Sequence, residues 1–117
     1  MSNDVSDVVF NRDAFLANFE GMEELVTQVI ESFEENYPSL LARVKNAIDS
    51  SDMGELQISA HTLKGVVSNF YAEHCRLLAF ELEKMGKEKE ATRALNVFDK
   101  LSKEAGRLSV ALRSVKL

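Results

Sequence analysis

Apolar residues recur along this chain at steps of three and four, and no stretch alternates with period two for long enough to make a strand. Met22, Val26, Val29, Phe33, Tyr37, Leu40, Val44 and Ala47 share one phase. Pro38 falls inside that run, where its ring should clash with the carbonyl of Glu34 and remove a hydrogen bond. The phase survives the proline, so the pattern predicts one long kinked helix from Met22 to about Ser50 rather than two. Asp52, with Glu55 three residues on, reads as a capping pair opening a third helix with seam Leu56, Ala60, Leu63, Val67 and Phe70. A fourth carries Cys75, Leu78, Leu82 and Met85 and should end near Gly86. The last carries Ala91, Ala94, Phe98, Leu101, Ala105, Leu108, Leu112 and Val115. Ahead of them all, a short helix over about Arg12 to Phe19 is opened by Asn11 or Asp13 and stopped near Gly21. The connections are short, which makes consecutive helices antiparallel neighbours. The expected fold is all-α: an antiparallel up-down-up-down four-helix bundle with a short additional N-terminal helix.

Composition narrows the picture. The 117 residues, 45% hydrophobic and 28% charged, suit one domain over 1–117, with 1–9 as a flexible N-terminus. Cys75 is the single cysteine and cannot form an internal disulfide. His and Cys show no metal-ligand spacing, so neither a metal nor another cofactor is expected. No apolar run approaches the roughly 18 residues of a membrane span. The N-terminus carries acid at Asp4 and Asp7 where a secretory signal carries base, which makes the cytoplasm the simplest location. Residues 1–57 hold 12 acids against 3 bases, and residues 58–117 hold 7 against 11. Such polarity can steer a charged partner; the simpler reading is that acidic and basic faces lie side by side in the bundle. No Arg/Lys stripe interleaves with aromatics, so nucleic acid is not an expected partner. His74 reads as a surface residue, Cys75 as a small buried hydrophobe, and Met22, Met53 and Met85 as core or cap material.

On a wheel of about 100° per residue, Gln57, His61, Lys64, Gly65 and Ser68 cluster about 135° from the third helix's apolar seam. His61 therefore stands on the outside of the bundle. A neutral imidazole is a nucleophile near neutral pH without an activating base. Lys64, one turn on, can neutralise phosphoryl oxygens, and Ser68 can add a hydrogen bond. Gly65 inside a helix costs about 1 kcal/mol relative to alanine, which close approach of a partner would justify. A solitary surface histidine is usually just solvated, and a solitary glycine often serves helix packing. Their coincidence on one polar face points instead to a reactive or docking histidine, with the chemistry left open by the residues alone.

The run Ala60-His61-Thr62-Leu63-Lys64-Gly65, followed by Ala72, Leu77, Leu78 and the pair Leu82-Glu83, resembles the histidine-containing phosphotransfer (HPt) domain family. Phe33 and Pro38-Ser39-Leu40-Leu41 match the family's usual second helix, and the resemblance spans roughly residues 10 to 113. It implies a phosphorelay intermediate in two-component signalling, whose exposed histidine takes a phosphoryl group from a receiver-domain aspartate and passes it to another. By position His61 would be phosphorylated, Lys64 would meet the phosphoryl group, and Gly65 would give clearance. Glu83 falls where the family often has Gln or Glu and would orient the imidazole, with Gln57 and Ser68 in support. The implied partners are receiver domains of response regulators or hybrid histidine kinases, met by a monomer. They would dock on the third helix's polar face, the adjoining second helix and the first helix, where one or two of Phe15, Leu16 and Phe19 remain exposed. No Gly-rich ATP loop is present, so autonomous kinase activity is not expected. The family commonly has a second glycine ten residues after the histidine; here that position is Tyr71, which either alters the end of the third helix or narrows the set of receivers that fit. The alternative function is a non-transferring docking or inhibitory module for a receiver or histidine kinase.

Overall fold

The computed structural model describes residues 9–115. The flexible lead expected over 1–9 thus lies, Val9 apart, outside the described residues, and Val9 itself is buried. Five helices follow in order: α1 (Arg12–Ala17), α2 (Glu23–Asp49), α3 (Met53–Ser68), α4 (Glu73–Glu88) and α5 (Ala94–Arg113). No strand occurs among the described residues. Each long helix packs on its neighbours in the chain, and α5 closes back on α2, completing a four-helix bundle.

Local chemistry explains the boundaries. Asn11 caps α1 by accepting a hydrogen bond from the Ala14 N–H at 3.0 Å, and Asp52 caps α3 by accepting one from the Glu55 N–H at 3.0 Å. The helix α2 runs unbroken through Pro38. On either side of the proline, side chains supplement the backbone ladder: Asn36 Nδ2 donates to the Ser32 carbonyl at 2.8 Å and Ser39 Oγ to that of Asn36 at 3.1 Å. The core-facing side of α2 is Val26, Phe33, Leu41, Val44 and Ala47, with Leu40 only partly buried. In α3 the whole seam of Leu56, Ala60, Leu63, Val67 and Phe70 is buried as the spacing predicts.

One expectation is sharpened and two are corrected. The helix α4 ends near Gly86 as expected, at Glu88, but Gly86 itself lies buried inside it and the chain turns out through Lys89 at φ 58°. A Cβ at Gly86 would sit 2.5 Å from the Gln57 nitrogen and 2.8 Å from the Met53 carbonyl oxygen, so this glycine exists for close approach of α4 to α3. Met22 is not core: it precedes α2 and is 53% exposed. Phe15 of α1 is fully buried, while Leu16 of α1 and Phe19, just past the helix's end, are partly buried against the core, so none of the three stands free.

Phe15 belongs to an aromatic cluster that fastens α1 to the bundle. Its ring lies 5.1 Å from both Phe19 and Phe70, and Phe33 packs edge-on to Phe70 at 5.0 Å and stacks on Tyr37 at 4.8 Å. Such pairs add about 0.5–1.5 kcal/mol each beyond the area they bury.

Candidate functional site

The cap at Asp52 and the buried seam fix the rotation of α3, and with it which side chains face outward. His61 is 66% exposed. Its Nδ1 lies 3.0 Å from Glu83 Oε2, and the other carboxylate oxygen, Oε1, lies 2.8 Å from Lys64 Nζ. One carboxylate from α4 therefore spans a histidine and a lysine of α3. Gly86, one turn beyond Glu83, is what lets α4 come near enough.

The electrostatics follow from this geometry. Burial by itself would raise the pKa of Glu83; hydrogen bonds and charge from Lys64, then His61, outweigh it and hold the carboxyl below its usual 4.5. Ionised Glu83 can only accept, so the neutral imidazole presents Nδ1–H to it. The lone pair on Nε2 is left facing outward.

Around this bridge the other expected residues are placed as follows. Gly65 is exposed, and a Cβ there would meet nothing within 4 Å. Packing within this chain therefore gives no reason for the glycine. Gln57 is half-buried and shares a shallow depression with Ile58, His61, Thr62 and Glu83. Ser68 is half-buried, and its hydroxyl donates to the Lys64 carbonyl at 2.7 Å, so its proton is spent on the helix rather than offered outward.

Tyr71 adopts φ 57°, the left-handed region in which glycine is free of strain. Its carbonyl accepts from the Asn11 N–H at 3.0 Å and its hydroxyl from Asn18 Nδ2 at 3.1 Å. It ties both ends of α1 to the connection between α3 and α4. The sequence signals the site through the missing glycine but not the tie to α1. Gly86 continues the seam of Cys75, Ala79 and Leu82, but that spacing alone does not separate a glycine that ends a helix from one that packs inside it.

A second polar cluster lies between α4 and α5. Glu104 is buried, paired with Arg107 at 2.8 Å, and its other oxygen lies 3.5 Å from His74 Nδ1. His74 is exposed as expected. Burial, then the nearby Glu104 charge, pushes the Cys75 thiol up to about 12, so the cysteine is an inert core residue at neutral pH. Among the described residues no group of three or more His, Cys, Asp or Glu side chains is arranged to hold a metal ion, and no helix is long and apolar enough to cross a membrane.

Comparison with known proteins places the fold. A family model described as Hpt domain matches residues 28–111. The crystal structure of histidine-containing phosphotransfer protein B (HptB) from Pseudomonas aeruginosa PAO1 matches with a TM-score of 0.85 at 21% identity, covering 91% of this chain and 92% of that one. At that identity the likeness speaks for the fold. No curated protein sequence matches.

Proposed function

The chain belongs to the Hpt domain family, and we propose that His61 is its phosphorylated residue, taking a phosphoryl group from a receiver-domain phospho-aspartate and passing it to another receiver aspartate. The observation that carries this reading is the Glu83 bridge, which sets an exposed imidazole beside a lysine.

The Nε2 lone pair attacks phosphorus as the P–O bond to the receiver aspartate breaks, and the bonding electron pair leaves with that carboxylate. The proton on Nδ1 stays where it is, so the imidazole becomes an N-phosphorylated imidazolium whose positive charge faces ionised Glu83. Lys64 neutralises the transferring phosphoryl oxygens. The same step in reverse, with a second receiver aspartate as nucleophile, unloads the histidine. Because α3 and α4 are already packed, the imidazole needs no reorganisation before reaction. The open space at Gly65 supports a role for the glycine as clearance for the receiver's active-site rim.

The test is to mix the protein with a panel of phosphorylated receivers and follow acid-labile, alkali-stable label. Label should appear on the wild type and be absent from His61→Gln. A folded wild type that binds a receiver yet never takes label would replace this reading with the docking-module alternative.

A further inference from the structure

The bridge leaves one contact of Lys64 unexplained. Its Nζ lies 5.1 Å from the centroid of the Phe80 ring as well as 2.8 Å from Glu83 Oε1. Phe80 stands on α4 and is 40% exposed, and Lys84 Nζ approaches the same ring at 5.8 Å. Phe80 and Glu83 are three residues apart on one helix, which makes them neighbours on its surface. One face of α4 therefore offers a single lysine of α3 both a carboxylate and an aromatic face.

Resting on the transfer reading above, we infer that Phe80 is a positioning residue for the reaction at His61: its ring keeps the Lys64 ammonium beside the imidazole while Glu83 hands it over to the arriving phosphoryl oxygens. A lysine stem has four rotatable bonds, and ordering it costs entropy at the moment of reaction unless it is ordered beforehand. Glu83 orders it but also competes for it, since the ammonium must turn from Oε1 toward the phosphoryl group. The attraction of an ammonium to a ring face lacks the strict direction of a hydrogen bond. Lys64 can remain over Phe80 while it exchanges one oxygen partner for another.

The experiment uses a receiver that labels the wild type and measures single-turnover transfer at saturating protein, so that docking does not enter. Phe80→Leu should slow transfer about two- to fivefold, the ratio expected from losing a cation–aromatic contact at an exposed site. Phe80→Tyr, which keeps the aromatic face, should run at the wild-type rate. In a Lys64→Ala background Phe80→Leu should change nothing further. Proton spectra should show the Lys64 ε-methylene displaced by the ring current in the wild type and not in Phe80→Leu. A wild-type rate for Phe80→Leu, a Phe80→Tyr as slow as Phe80→Leu, or equal slowing without Lys64 would overturn this inference and leave the transfer reading standing. A wild type that takes no label from any receiver would overturn both.

Discussion

Glu83 shows how much chemistry one side chain carries when two partners share it. Its carboxyl is held below 4.5 in the folded chain by Lys64 and His61, despite burial pulling the other way. With a depressed folded value, its contribution to stability is present at neutral pH and lost as pH falls below 4.5 through the folded value, where the unfolded chain binds the proton first. Thermal melts from pH 7 down to pH 3 should therefore show a steeper acid loss for the wild type than for Glu83→Gln. Tyr71 is the other instructive residue. An L-residue held left-handed costs about 1–2 kcal/mol, and here it sits where the family commonly has glycine. Tyr71→Gly relieves that cost while losing the Asn18 hydrogen bond; Tyr71→Ala loses the bond and keeps the strain. In urea titrations the glycine variant should exceed the alanine variant by about 1 kcal/mol. Equal stabilities would show that the backbone at this position is under no strain.

At the scale of the helices, two glycines with the same intrinsic penalty do opposite things. A methyl at Gly65 meets open space, so Gly65→Ala should stabilise the isolated protein by up to about 1 kcal/mol. A methyl at Gly86 meets the α3 backbone, so Gly86→Ala should destabilise it by about 1–3 kcal/mol through overpacking. Denaturant midpoints for the two variants should move in opposite directions from wild type. On the proposed role of Gly65 as clearance for a receiver, Gly65→Ala should also lower the rate of labelling. Periodicity gave away the helices because burying an apolar stripe imposes its own spacing, and the phase kept across Pro38 was enough to read α2 as one element. It could not tell a glycine that ends a helix from one that brings two helices together. Both look the same in one dimension, and the difference lies in what the partner helix presents at 2.5 Å.

For the molecule as a whole, the bundle and the outward face of His61 were legible, whereas the joins between elements were not. Glu83 lies 22 positions from His61, and only the family resemblance connected them; no spacing rule reaches across a turn to name a pair. The tie from α1 to Tyr71 and the aromatic cluster around Phe15 were likewise invisible, because the first helix is too short to set a phase. Truncating Phe15 to alanine should cost about 3–5 kcal/mol, measured by chemical denaturation, since its ring is fully buried between α1 and Phe70. The charge asymmetry is only partly absorbed by the fold. Among the described residues one ion pair, Arg113 with Glu34 at 3.1 Å, joins an acid of α2 to a base of the later half, so most of the acidity of α2 stays on the surface.

The close approach at Gly86 also sets a timescale. Where two helix backbones touch without side chains between them, neither can open alone, and amide protons along that seam should exchange only when the entire fold opens. The six residues of α1 should exchange much earlier, through local release that leaves the bundle intact. His61 and Glu83 lie on α3 and α4, so their amides should fall on the slow side of that divide. On the proposed reading, a phosphoryl group on His61 would ride on a part of the protein that opens late, which suits a cargo that must survive between one partner and the next.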